Sequence, residues 1–189
     1  MKTLSILIIF TASLLGNGLS DNDLDYKPGL LFRELDKLSG IDGFNLQEIH
    51  LSDSLSDVNR VNGKFFEVVC RGNRISTVYI GRVTCCRAGG CSNPLTTAIE
   101  TDSEFFDYFI VFDLHGRIIS VRVFNYAATH GQEITAKGWL NQFLGFDGNR
   151  NLRTGKEVDS ISGATISVNG IVADIQEKTA LIKTITKSD

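Results

Sequence analysis

Apolar residues recur at helical spacing in two well-separated stretches of the chain. The first stretch lies between Gly29 and Gly40, and its apolar positions are Leu31, Leu35 and Leu38. This period predicts a short amphipathic helix bounded by the two glycines. The second stretch is longer and keeps the same period at these positions: Val168, Ile171, Val172, Ile175, Ile182 and Ile185. Lysines collect at its carboxyl end, where they suit the helix dipole, so a long helix is predicted there.

A third helical pattern, "TAKGWLNQFLGFDG", lies between them. The hydroxyl of Thr135 is suited to capping its start, and Gly145 is suited to ending it. The pattern therefore predicts one further helix with an apolar side made of these residues: Trp139, Leu140, Phe143 and Leu144.

Two pairs of β-rich runs precede this third pattern. The first pair, "GKFFEVVCRGNRISTVYIGRVTCC", turns at Gly72 and Asn73, and the second, "EFFDYFIVFDLHGRIISVRVFNYAA", turns at "DLHGR". Both are typical of β-hairpins. Because strands and helices are each grouped, the predicted class is α+β. We expect a single domain in which helices flank a twisted antiparallel β-sheet built from hairpins.

Alternation in the second hairpin predicts which of its side chains are buried. Residues on one face of each run share an apolar character: Phe106, Tyr108, Ile110 and Phe112 in the first run, and Ile119, Val121 and Val123 in the second. Such a period of two is typical of antiparallel strands that bury one side, so we expect these side chains to face the core.

The length of the chain and its charge narrow the class of protein. The chain has 189 residues and a formal net charge of −3. Its acids and bases are interspersed, and no basic stripe is present that would release counterions from phosphates, which argues against nucleic acid as a partner. The length suits one domain and a short targeting segment.

The first twenty residues, "MKTLSILIIFTASLLGNGLS", form the expected targeting segment. Their apolar run, 4–15, is shorter than the ~20 residues that span a bilayer, so they read as a signal peptide cut near 18–20 rather than as an uncleaved anchor. Residues 21–62 are expected to be a helical and extended lead-in. No later stretch is long and apolar enough to span a membrane, so we expect an exported protein without a stable span in its mature form.

Export would place the four cysteines in an oxidising compartment, where disulfides form. Cys86 and Cys91 flank a flexible glycine pair and can close a loop, and Cys85 could reach Cys70 if their strands are adjacent. Sequence alone does not choose among the three pairings. A metal site is the alternative, but the usual C-x-x-C spacing is missing.

The stretch "DSISGATIS" directly precedes the long carboxyl-terminal helix, which is expected to begin near Ala164. The first turn of a helix carries unpaired N–H groups and partial positive charge, so it favours a phosphate. Gly163 allows close backbone approach and Ser162 is placed to cap. Thr165 would present its hydroxyl beside the bound anion.

These residues resemble the flavinylation motif D-x-x-S/T-G-A-T of the FMN-binding domain family, which includes subunits of the sodium-pumping NADH:quinone reductase and of the Rnf complex. The "DLHGRIISVRV" hairpin also resembles the family's D-x-x-G-x-I segment. The resemblance implies an FMN-binding domain over 63–189. The matching motif positions are Asp159, Ser162, Gly163, Ala164 and Thr165.

The resemblance implies FMN as a covalent cofactor, joined through its phosphate to Thr165 by an FMN transferase. Asp159 would be read by the transferase or would help to position magnesium during attachment. By analogy with the family's H-x-E-T-P-G-L-G segment, Glu133, Ile134 and Thr135 would border the flavin, although the proline and the glycine pattern are missing here. The implied function is electron transfer with a membrane or extracytoplasmic redox partner, on the periplasmic or cell-surface side of a bacterial membrane.

Two other classes of function remain open at this point. The first is a flavin-dependent reductase with its own small substrate. The second is a secreted, disulfide-stapled binding module without flavin, in which Asp159, Ser162 and Thr165 only cap a helix, as such residues commonly do.

Overall fold

Five strands form one antiparallel sheet and lie in it in the same order as in the chain. The computed structural model describes residues 23–39, 43–51, 61–70, 73–87 and 103–186. The strands are β1 (Phe44–Ile49), β2 (Gly63–Cys70), β3 (Asn73–Arg87), β4 (Ser103–Phe112) and β5 (Ile118–Tyr126). The helices are α1 (Gly29–Ser39), α2 (Lys137–Leu140) and α3 (Thr165–Thr186). The predicted α+β class, with helices flanking a sheet built from hairpins, is confirmed.

Both predicted hairpins are present, formed by β2 with β3 and by β4 with β5. The "DLHGR" segment turns because Asp113 accepts hydrogen bonds from the backbone N–H groups of His115 at 2.8 Å and Arg117 at 2.9 Å. Aspartate commonly stabilises turns in this way. Gly116 has a φ of +74°, which glycine adopts at little cost.

The sheet is buried on both faces, and the prediction of one buried side is wrong. α3 and the segment 132–146 pack on the first face, and α1 packs on the second. The four β4 residues predicted to share a face do so, and they lie in the apolar cluster on the first face. Two of the residues between them lie in a second apolar cluster on the other face. The first cluster contains Phe106, Tyr108, Ile110 and Phe112, and the second contains Phe109 and Val111. A strand covered on both sides carries a nearly continuous apolar run, so alternation alone does not reveal the second cover.

The predicted position of Ile119 is also wrong. Ile118 lies opposite Phe112 and Ser120 lies opposite Val111, so Ile119 is an extra residue in a β-bulge. A bulge shifts the alternation of the residues before it relative to those after it. Ile119 therefore packs with the second cluster, beside α1, instead of the first.

The helix predicted near the amino end is α1, and it joins the sheet through both apolar and charged contacts. Leu31 and Leu35 are buried. Between them, Glu34 accepts hydrogen bonds from Arg122 at 2.6 Å and from Ser120 at 3.0 Å. Because a buried carboxylate needs such partners, these bonds restrict how α1 can lie on the sheet.

The predicted long helix is α3, which packs closely along β3. A Cβ added at Gly170 would lie 2.9 Å from Cγ1 of Val83. Lys178 is fully buried, and its Nζ lies 2.7 Å from Oδ1 of Asp174. The hydroxyl of Tyr108 donates to Oδ2 of the same carboxylate at 2.5 Å. Burial raises the pKa of Asp174, and the Lys178 charge opposes that rise. A charged pair therefore lies inside the contact between α3 and the sheet.

The third predicted helix is broken into three short pieces. A 3-10 turn (Gln132–Thr135), α2 and a second 3-10 turn (Asn141–Phe143) follow one another. Thr135 ends the first turn and caps no helix, because Ala136 occupies the cap position of α2. The N–H of Gly145 donates to Ile118 of β5 at 2.8 Å, which ends the segment. Leu144 is 41% exposed, so it is not part of the apolar side.

Cys70 and Cys85 are free thiols, so the suggested bridge between them is wrong. Cys70 lies opposite Asn73, at the beginning of β3. Cys85 is twelve residues further along that strand, which corresponds to roughly 40 Å at about 3.3 Å per residue. The suggested Cys86–Cys91 bridge falls on side chains outside the described residues.

The predicted signal peptide, 1–20, also lies outside the described residues. Within the parts of the chain that the structure describes, none of the helices has the length and apolar character needed to cross a membrane.

Candidate functional site at the start of helix α3

Helix α3 begins after an alanine at its N-cap position. The N–H of Val168 donates to the carbonyl of Ala164 at 2.9 Å, and Thr165 is the first helical residue. Alanine is a poor N-cap because its side chain cannot accept hydrogen bonds from the first turn. Ser162, predicted to cap, lies two residues before the cap position, in a turn where Gly163 has a φ of +82°. Helix capping therefore does not explain the serine in this stretch.

The hydroxyl-bearing residues of this turn face open space. Asp159, Ser162 and Thr165 are exposed, while Ala164 is buried. A Cβ added at Gly163 would meet no atom within 4 Å. The helix dipole adds partial positive charge at the same place. The start of α3 thus combines an accessible hydroxyl, room beside the backbone and a potential that favours an anion.

Tyr126, the last residue of β5, ties the loop that follows it to the first turn of α3. Its hydroxyl donates to the carbonyl of His130 at 2.5 Å and lies 3.1 Å from Oγ of Ser167. A Cβ added at Gly131 would lie 2.9 Å from both of these hydroxyl oxygens and 3.2 Å from Cβ of Ala164. The loop and the helix therefore touch without room for another atom.

This contact brings the two predicted parts of the site together. Glu133 is exposed and Thr135 is half-buried. Ile134 is fully buried in the same apolar cluster as Ala164. Ile134 therefore packs under the site on its core side, whereas Glu133 lies on its solvent side. Contact of these residues with a flavin stays a prediction.

Two side chains from the α2 region hold the backbone of Asp159. Oε1 of Gln142 accepts its N–H at 2.8 Å, and the indole Nε1 of Trp139 donates to its carbonyl at 2.9 Å. Nε2 of Gln142 in turn donates to the carbonyl of Trp139 at 3.1 Å. The first residue of the motif is thereby fixed, while its own carboxylate stays exposed.

Cys85 borders the site on the β3 side. Its Sγ lies 3.6 Å from Oγ of Ser167. Burial raises the pKa of the Cys85 thiol, and the Ser167 contact only partly opposes the rise. Because the thiolate is the reactive form, Cys85 at neutral pH is a poor nucleophile beside the site.

Three residues of the site were not predicted from the sequence: Tyr126, Ser167 and Gln142. Ser167 carried a usable signal, because it lies in the first helical turn after the motif. Tyr126 ends a strand and Gln142 lies in an apolar helical pattern, so neither position has a local signature. Both are brought to the site only by the fold.

We expect Gly131→Ala to destabilise the protein by about 1–3 kcal/mol, because the added methyl overpacks a filled contact and the backbone conformation is unfavourable for alanine. The φ of Gly131 is +90°. The free energy of unfolding in urea measures the effect. Gly138→Ala is the matched control, since a Cβ there meets no atom within 4 Å. Equal stability of the two variants would contradict the described contact between loop and helix.

Residues 104–178 match the model of a protein family described as FMN-binding domain. The matched segment starts in β4 and ends within α3, so it includes Tyr126, the α2 region and the whole motif. No curated protein sequence matches the chain.

Proposed function

We propose that the chain is a flavin-binding protein of the FMN-binding domain family, whose model its residues 104–178 match, and that it is an exported electron carrier with FMN attached covalently to Thr165. The observation that carries the proposal is the beginning of α3. An exposed threonine occupies the first helical position, directly after an alanine that cannot cap the helix.

The residues present fit a phosphodiester at this position. Such a group keeps one negative charge, which the unpaired N–H groups and dipole of a helix start stabilise. The open space beside Gly163 allows the phosphate to approach the backbone. The side chain of Ala164 packs downward into the core, so it leaves the first turn uncovered. Each of these features supports attachment at Thr165 more than at Ser162, which lies before the helix.

The proposed attachment is a phosphoryl transfer from FAD, catalysed by an FMN transferase. A bond forms between Oγ of Thr165 and the FMN phosphorus while the pyrophosphate bond of FAD breaks, AMP leaves, and the threonine proton passes to the transferase or to water. Bound FMN supplies the redox chemistry, and the protein supplies orientation and electrostatics. A covalent bond prevents the loss of the cofactor outside the cytoplasm.

Export and the identity of the partners are proposed from the sequence. The apolar leader supports export to the periplasmic or cell-surface side of a bacterial membrane. Electrons would then pass between a membrane or extracytoplasmic donor and an acceptor. The exposure of Thr165 and Glu133 supports this role, because a flavin held there would keep an edge in contact with solvent.

Intact-mass measurement tests the proposed attachment. The full chain is produced with and without the FMN transferase, and a domain that the transferase is known to modify is treated in parallel. We expect the transferase to add one FMN phosphoryl unit that persists after acid precipitation. An unchanged mass, alongside a modified control domain, would overturn the covalent assignment.

Reoxidation kinetics separate an electron carrier from a reductase of a small substrate. The flavinylated chain is reduced and its absorbance is followed with a protein acceptor and with candidate small oxidants. Rapid reoxidation by a redox protein, without saturation by any small substrate, is expected. Saturable turnover of a small substrate would contradict the carrier role.

A further inference from the structure

We propose that Gln142 and Trp139 are positioning residues that present Asp159 to the FMN transferase. This inference rests on the proposed function, since Asp159 matters here only if Thr165 is modified. Neither residue belongs to the D-x-x-S/T-G-A-T pattern, and both act on Asp159 through its backbone. We call these two side chains, together with the Asp159 backbone that they bind, the Asp159 clamp.

The Asp159 clamp satisfies both backbone groups of one exposed residue with two different side chains. Gln142 accepts the N–H at 2.8 Å and Trp139 donates to the carbonyl at 2.9 Å. These bonds lie on opposite sides of the Asp159 Cα, so together they restrict rotation about the backbone bonds that direct its side chain. The backbone N–H and carbonyl groups of an exposed loop residue are usually hydrogen-bonded to water. Hydrogen bonds from both groups to protein side chains are therefore a specific feature of this position.

The clamp is itself held rigidly. Nε2 of Gln142 donates to the Trp139 carbonyl at 3.1 Å, which fixes the side-chain amide so that Oε1 faces Asp159. The Trp139 ring packs edge-on against Phe143 with centroids 5.5 Å apart, and Phe143 is fully buried. A chain of contacts therefore runs from the core to the backbone of Asp159.

No contact of the Asp159 side chain with the residues that the structure describes accounts for this arrangement. Its side chain is exposed, and Val158, directly before it, is fully buried and anchors the chain. The clamp thus fixes a carboxylate that points into solvent. A fixed, solvent-directed carboxylate suits docking or metal-assisted attack in a second protein, because orientation before encounter lowers the barrier to reaction.

The first test is hydrogen exchange on the chain without flavin. We expect the Asp159 amide to be protected in the wild type, exposed in Gln142→Leu and protected again in Gln142→Glu, which keeps an acceptor oxygen. Urea unfolding should show that all three proteins are folded. An Asp159 amide that exchanges equally fast in all three would overturn the clamp, whatever the outcome of flavinylation.

The second test is the rate of flavinylation by the transferase, measured across a double-mutant cycle with Asp159→Asn. We expect Gln142→Leu to slow attachment by about 10–100-fold, because misplacing a group that takes part in a reaction by about 1 Å can cost about 100-fold in rate. Gln142→Glu should lie closer to the wild type. In the Asp159→Asn background, Gln142→Leu should have almost no further effect, because it acts through that carboxylate.

The outcomes separate this inference from the proposed function. A wild-type chain that gains no FMN refutes the attachment itself. A wild type that is modified at the same rate as Gln142→Leu, or a cycle in which the two effects simply add, refutes positioning through Asp159 and leaves the attachment intact.

Discussion

Thr165→Val is expected to abolish covalent FMN completely. Valine has nearly the shape of threonine but no hydroxyl, so no phosphodiester can form. The residue is exposed at the first helical position, and the substitution should therefore leave folding unchanged. The transferase-treated variant should keep its unmodified mass in denaturing mass spectrometry and should lose all yellow colour after acid precipitation.

Ser160→Ala is the matched control for the threonine variant. Ser160 is an exposed hydroxyl residue in the same stretch, at a position that the motif leaves variable. It should be modified as fully as the wild type. Retention of the FMN mass in Thr165→Val would place the attachment on another side chain and would remove the argument based on the start of α3.

Of the substitutions proposed here, Asp174→Ala is expected to lower the free energy of unfolding most, by about 3–5 kcal/mol. It removes one partner of a buried ion pair and leaves the charge of the other partner uncompensated. The contact of Lys178 Nζ with the half-exposed carboxylate of Glu177 is longer, at 3.5 Å, and is a weak substitute for the one with Asp174. The buried hydroxyl of Tyr108 would lose its acceptor as well. The free energy of unfolding in urea at neutral pH measures this loss.

Glu177→Ala provides the comparison for this prediction. Its side chain is 50% exposed, so its removal should cost less than about 1 kcal/mol. If Asp174→Ala costs no more than Glu177→Ala, water must reach Lys178, and the charged pair is not part of the buried contact between α3 and the sheet.

Local patterns were sufficient for the order and type of most elements. Glycines bounding an apolar period predicted α1, and alternating runs separated by short turns predicted both hairpins. The stretch "DSISGAT" predicted that α3 begins within it, which the structure confirms at Thr165. These features depend on contacts between residues that are close in the chain, so the sequence expresses them directly.

Features that depend on contacts between distant residues were missed or wrong. The bulge at Ile119 changes which face a side chain occupies, and no residue type marks it. The hydrogen bond that the Asp159 N–H donates to Gln142 crosses 17 positions of the chain. The Cys70–Cys85 pairing failed because a hairpin brings strand ends together only at its turn, and Cys85 lies near the opposite end.

The sheet order has a consequence for the timing of the proposed FMN attachment. Each described strand pairs with its neighbour in the chain, so the sheet can form strand by strand during synthesis. Thr165, the proposed acceptor, follows the five described strands in the chain, and the helix that it begins packs on the sheet that they form. Under the proposed attachment, FMN would therefore be added late, and only to chains that have already folded.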